Sequence, residues 1–164
     1  MLTPQEHLEL YCIFKGVPID QVSEEVEKTL KDIDLEEKRN AFAKNLSGGQ
    51  KRKLSVGIAM IGGSKLILLD EPTSGMDLTA RRKVWDMLKN NKQDRIIILT
   101  THFMDEADIL GDRIAIMASG MIKCCGGSLF LKKRFGVGYN LIIAKESKDP
   151  SQKIEEFIFR KINN

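Results

Sequence analysis

The sequence predicts an α/β domain in which a parallel sheet is flanked by helices and preceded by a small helical unit. Leu66-Ile-Leu-Leu69 is an unbroken apolar run that leads straight into Asp70 and Glu71. Such runs mark strands buried on both faces, as in the middle of a parallel sheet. A second run, Arg95-Ile-Ile-Ile-Leu-Thr-Thr-His102, follows one helix-length segment later. Strand and helix patterns alternate over residues 65–118, which is the arrangement of βαβ units.

Composition is compatible with that fold and excludes several functions. The 164 residues make one domain's worth of chain, and 42% hydrophobic with 30% charged residues is ordinary for a globular protein. Twenty-six basic against 23 acidic residues leave a net charge of +3, too balanced for a nucleic-acid partner held by bulk charge. Cys12, Cys124 and Cys125 are odd in number and two are adjacent, so they offer neither a disulfide framework nor zinc spacing. Reduced thiols in a cytosolic setting are expected. No uncharged run reaches the length of a membrane helix; the longest, Leu54 to Ser64, contains three glycines. Thr3-Pro4-Gln5-Glu6 near the start fits no signal peptide. Any action on membranes is therefore expected to pass through segments outside these residues.

Thr3-Pro4-Gln5-Glu6 reads as a helix start, with an N-cap threonine, a proline in the first turn and a glutamate three residues after the cap. That helix ends near Gly16-Val17-Pro18. A second spans roughly Asp20 to Lys31, with Val22, Val26 and Leu30 on one stripe and Glu27–Lys31 as an i,i+4 pair on the wet face. Ser47 and Gln50 form a capping box for a third helix, which begins at Gly48-Gly49. Glycines in a first turn weaken a helix, by up to about 1 kcal/mol each relative to alanine. They become useful where a ligand must approach the backbone, and a helix N-terminus suits phosphate. Taken alone, the pentapeptide favours a phosphate site but is also compatible with a plainly capped helix.

The strand at 65–70 must end near Glu71, because Pro72 cannot donate to a ladder. Both carboxylates then sit at the strand's carboxyl end, where open α/β sheets bind ligands. Two acids there suggest a metal and a water to activate, although a strand can also simply exit into polar residues. Asp77 caps the next helix, Leu78 to Asn90, with Val84, Trp85 and Leu88 inward. His102 closes the following strand in the same topological position as the two acids. A lone histidine there is usually incidental; beside a carboxylate site it becomes a candidate for contacting phosphate. Phe103 to Leu110 reads as a short acidic helix, and residues 113–118 and 121–125 as strands around the turn Ser119-Gly120. A basic helix from Ser128 to Arg134, a strand from Tyr139 to Lys145 and a helix from Pro150 to Ile162 complete the chain.

Four of these segments together resemble the ATP-binding-cassette (ABC) ATPases, in that family's order and spacing. Leu46-Ser-Gly-Gly-Gln50 is similar to the signature motif, and Leu66-Ile-Leu-Leu-Asp70-Glu71-Pro-Thr to Walker B. Ser74-Gly-Met-Asp77 is similar to the D-loop, and His102 to the switch histidine. The stretches Thr101 to Ile116 and Gly127 to Lys132 look like the A subfamily, whose members largely move lipids. The resemblance implies a P-loop NTPase-like fold, present as a partial domain. Residues 1–46 would be its helical subdomain, 47–136 a RecA-like core, and 137–164 the start of a C-terminal regulatory extension. It further implies ATP and Mg²⁺ as cofactors. Asp70 would help hold Mg²⁺ through water, Glu71 would be the general base and His102 would contact the γ-phosphate. Ser47, Gly48, Gly49 and Gln50 would bind the ATP of an opposite cassette, with Asp77 communicating across that interface. The implied partners are a second cassette and membrane domains, which place the chain at the cytoplasmic face of a membrane.

The sequence departs from the family pattern in specific ways. It contains no G-x-x-x-x-G-K-[ST], since Gly62-Gly-Ser-Lys65 does not fit, and no glutamine loop. Met1 corresponds to an interior position of family members, so a fragment or partial isoform is expected, inactive on its own. Leu78 stands where a proline usually follows the D-loop aspartate. Two alternatives to a transporter ATPase remain: a soluble non-transporter ABC ATPase, and an inactive cassette acting as an interaction partner.

Overall fold

The computed structural model describes residues 1–136, so the strand and helix expected at 139–145 and 150–162 fall outside the described residues. Residues 1–131 form one compact unit, and a second begins at Lys132.

Helix α1, Pro4–Phe14, is opened by the expected capping box between Thr3 and Glu6 and buries Leu8 and Cys12. Helix α2, Ile19–Asp32, buries the stripe Val22, Val26 and Leu30. Its Glu27 pairs with Arg39 rather than with Lys31. The two helices pack on each other and on α3, Gly48–Met60. At that contact a Cβ on Gly57 would meet Ile33 Cδ1 at 3.0 Å, so the close approach of α2 and α3 calls for glycine. Lys15 fastens α1 to the C-terminal end of α3, donating from Nζ to the carbonyls of Ile58, Ala59 and Ile61 at 2.8 to 2.9 Å. Burial pushes the Lys15 ammonium below its ordinary range.

Strand β1, Leu66–Asp70, and strand β2, Ile96–Thr100, pair in parallel from Leu66↔Ile96 to Asp70↔Thr100. Helix α4, Leu78–Asn90, forms the crossover between them and buries Val84, Trp85, Met87 and Leu88. One hydrophobic core joins Leu8, Val26 and Leu30 to Leu54, Ile67, Leu69 and Val84.

Two expectations about the sheet are corrected. Ile67 and Leu69 are 2% and 8% exposed, but Leu66 and Leu68 are 58% and 68% exposed, so β1 is buried on one face only. Ile96 and Ile98 of β2 are likewise exposed. Successive side chains of a strand point to opposite faces, and no described residue covers the second face. Among the described residues the parallel sheet is also limited to β1 and β2. After helix α5, Met104–Leu110, strand β3, Ile114–Ala118, pairs antiparallel with β4, Met121–Gly126, in a separate sheet. Ser119 and Gly120, both with positive φ, provide the tight turn. Helix α6 covers Ser128–Phe135.

Candidate functional site

The parallel register sets Asp70 directly opposite Thr100, and that threonine organises the strand ends. Its hydroxyl donates to Asp70 Oδ1 at 2.5 Å and accepts from the Glu71 amide at 3.2 Å. The same amide donates to the Thr100 carbonyl at 3.1 Å. Glu71 itself has φ +48°, in the left-handed region that non-glycine residues seldom occupy. Backbone of this kind costs on the order of 1–3 kcal/mol and persists where surrounding contacts over-determine it. Here the doubly bonded amide provides the constraint. The chain swings off the ladder, and Glu71 Oε2 comes to lie 2.7 Å from His102 Nδ1.

The Glu71 side chain is 33% exposed and that of His102 60%, so the pair sits at the surface with one shielded oxygen. Oε2 has no aligned hydrogen-bond donor, so its contact with the imidazole is close without being linear. Catalytic contacts commonly align only once substrate is bound. The His102 ring stacks at a tilt on Phe103, with centroids 4.0 Å apart. Arg81 lies 3.7 Å over the other ring and donates to the Met76 carbonyl at 3.5 Å. The end of β1, the start of α4 and the turn carrying His102 are thereby tied together.

Asp70, Glu71 and His102 are brought into one site; the signature residues form another. Ser47 Oγ accepts from the Gln50 amide at 3.2 Å, and Gln50 Oε1 accepts from the Ser47 amide at 3.0 Å, so both side chains are committed to the cap. A Cβ on Gly48 or Gly49 would meet nothing within 4 Å, so the chain's own packing does not demand these glycines. Amides in a first helical turn lack intrahelical acceptors, which leaves a surface of backbone donors. Among the described residues no hydrogen bond or ion pair joins Ser47 to Gln50 with Asp70, Glu71 or His102.

Asp77 caps α4, accepting from the Thr79 and Ala80 amides at 2.9 Å. The Ala80 amide is the main cause holding its carboxyl below the usual range, with Lys53 of α3 adding to it. Lys53 reads in the sequence as one of three consecutive basic residues, yet it is buried and donates to Asp34 at 2.9 Å. Lys83 of α4 donates to the same oxygen at 2.8 Å. Sequence reasoning missed this clamp, as it missed Glu106, taken only as part of a short acidic helix. Glu106 is fully buried and accepts from Thr73 and Trp85. Trp85 held the one available signal, because a buried indole N–H needs an acceptor.

The donor set suits magnesium in a particular way. Mg²⁺ commonly takes one or two carboxylates and completes its shell with water and substrate phosphate. Thr100 engages one oxygen of Asp70, whose other oxygen has no partner among the described residues. Those residues contain no cluster of three or more metal-ligating side chains, so the site fits a substrate-borne ion rather than an all-protein cage.

Residues 1–74 match the family described as ABC transporter. The chain is 51% identical over 163 residues to the phospholipid-transporting ATPase ABCA3 of Rattus norvegicus, a match covering 99% of the chain and 10% of that protein. It is 52% identical over 141 residues to the cholesterol transporter ABCA5 of Mus musculus, covering 86% of the chain and 9% of that protein. The chain thus spans about a tenth of the length of these curated relatives. Among solved structures, an ATP-binding subunit of an ABC transporter aligns with TM-score 0.72 and 26% identity, over 82% of this chain and 57% of that one. A dimeric ATP-binding cassette in a post-hydrolysis state, bound to ADP and Pi, aligns with TM-score 0.68 and 27% identity, over 77% and 57%.

Proposed function

The chain belongs to the ABC transporter family, as a cassette sequence of A-subfamily type, and we propose that it contributes the hydrolytic strand end and the signature helix of an ATPase driving lipid transport. The observation that carries the reading is the Glu71–His102 contact at the end of β1, with Glu71 held in the left-handed region by its amide bonds to Thr100. Glu71 accepts the proton of the attacking water and orients it. His102 contacts the γ-phosphate and keeps that water in line, for which Nε2 is the ring nitrogen without a partner among the described residues. Phosphoryl transfer depends on positioning and charge neutralisation more than on covalent chemistry, which suits so sparse a set of groups. Asp70 would hold Mg²⁺ through its water shell, and the ion would there supply charge neutralisation for the phosphates.

The signature helix acts on a different nucleotide. The open amides of Gly48 and Gly49, framed by Ser47 and Gln50, receive the γ-phosphate of ATP held by a second cassette, and Asp77 lies along that interface. The dimeric arrangement of the matched cassette supports this reading. Membrane domains elsewhere in the protein would complete the transporter, with these residues on the cytoplasmic face; no helix among the described residues is long and apolar enough to cross a membrane. Lipids are the proposed cargo because the relatives are described as phospholipid and cholesterol transporters.

The 164-residue polypeptide contains no phosphate-binding loop, so alone it is expected to hydrolyse no ATP. The test is magnesium-dependent phosphate release by the full-length protein, wild type against Glu71→Gln. Turnover abolished with ATP still bound supports the assignment, and wild-type turnover in the variant rejects it.

A further inference from the structure

Behind the Glu71–His102 contact lies a carboxylate to which the proposed reaction assigns no role. Glu106, four residues past His102, has no solvent exposure, and neither has Thr73, two residues past Glu71. Thr73 Oγ1 and Trp85 Nε1 both donate to Glu106 Oε1 at 2.8 Å, while Oε2 has no partner among the described residues. Burying a carboxylate is costly, and an incompletely bonded one more so. An apolar residue would fill the same space at less cost if space were all that mattered.

The bonds close a ring around the hydrolytic pair. On one side, the Glu71 amide is fixed to Thr100 at the end of β2. On the other, the segment after Glu71 is fixed through Thr73 to Glu106, and α5 runs back from Glu106 to the turn that carries His102. Trp85 brings α4 into the same junction. Within the turn, the Ser74 amide donates to the Glu71 carbonyl and the Met76 amide to the Thr73 carbonyl, both at 3.2 Å, so Thr73 is its tethered point. We infer that Glu106 is a positioning residue for the hydrolytic site: by clamping Thr73 and Trp85 onto α5 it sets the separation of Glu71 and His102. This rests on the roles proposed above for those two residues.

The test uses steady-state ATP hydrolysis by the purified full-length protein, with kcat and KM resolved. Glu106→Leu removes the acceptor and is expected to lower kcat at least about tenfold, since a 1 Å misplacement of catalytic groups can cost on the order of a hundredfold. KM for ATP stays within about twofold, because Glu106 itself contacts no substrate and the geometry it sets is used in the transition state. Glu106→Gln keeps one oxygen for both donors and restores kcat to within about threefold of wild type. Thr73→Val lowers kcat as Glu106→Leu does, and the double variant is no worse than either single one, as members of one tether require. A folded Glu106→Leu protein with wild-type kcat overturns the inference. So does a Gln variant as impaired as the Leu variant, or kcat and KM failing together in step with a lowered Tm. If Glu106→Leu does not fold, Thr73→Val carries the test. Glu71→Gln in the same assay keeps the two readings apart: retained turnover there rejects the hydrolytic role itself. Loss of turnover there, with wild-type kcat in Glu106→Leu and Thr73→Val, rejects only the positioning role.

Discussion

Asp70, Glu71 and His102 meet at the end of β1 with carboxylate and imidazole groups left largely free by the fold, whereas Ser47 and Gln50 at the start of α3 commit both side chains to a capping box. The backbones differ in the opposite sense. Glu71 sits in a strained conformation, while Gly48 and Gly49 sit in an unstrained first helical turn with open space around them. One region offers side-chain chemistry on a constrained backbone, and the other offers backbone donors behind side chains already in use. Opposite responses to substitution follow. Isosteric changes should damage the strand end, and added bulk should damage the helix end.

The largest effect is expected at Glu71. Replacing the carboxylate with the amide of Gln keeps shape and removes the base, so kcat of the full-length protein should fall by roughly 10²–10⁴-fold. Binding of ATP, followed with a fluorescent analogue, should change little. At the helix end, Gly48→Leu should lower ATP hydrolysis about tenfold or more, the effect of losing one hydrogen bond to a charged group. The same substitution should leave the chain's Tm unchanged or raised, because the new Cβ meets no neighbour and glycine disfavours helix. A Gly48→Leu protein that unfolds while its folded fraction keeps full activity would erase the contrast.

Both regions were legible in the sequence to different depths. The cap at Ser47 and the strand leading to Asp70 follow from residues adjacent in the chain, and they appear where the pattern puts them. The exposure of Leu66 and Leu68 was not legible, because an apolar run shows that a face wants cover but not whether described residues supply it. Thr100, Glu106 and Asp34 were missed for a related reason. Each acts on residues more than fifteen positions away, Thr100 on Asp70, Glu106 on Thr73 and Asp34 on Lys53. Local periodicity holds no record of such pairs.

A smaller effect separates capping from catalysis at the helix end. Ser47→Ala removes the hydroxyl bonded to the Gln50 amide and should destabilise the chain by about 1 kcal/mol, measured by urea denaturation. Ser47→Asp restores an N-cap acceptor and should recover that stability. In the full-length protein it places a carboxylate beside the incoming phosphate, so ATP hydrolysis should fall below wild type. Recovery of stability and activity together would mean that Ser47 acts only as a cap.

The smallest expected effect lies between the two regions. Asp34 accepts from Lys53 of α3 and Lys83 of α4 through one oxygen, so it joins the signature helix to the helix that follows the D-loop. The hydrogen bond from Lys83, then that from Lys53, holds its carboxyl below the ordinary value of 3.8. A depressed carboxyl stabilises the fold above its unfolded pKa, and that contribution is lost as pH falls through the folded value. Asp34 is half exposed, so screening keeps the contribution small. Asn is tolerated at its φ of +55°, so Asp34→Asn removes charge without adding strain. The Tm difference between wild type and Asp34→Asn should be constant near neutral pH and should shrink below pH 3.8, where the wild-type carboxyl also becomes neutral. A difference unchanged down to the acid limit would show that α3 and α4 are joined by packing alone, leaving the two regions without an electrostatic link.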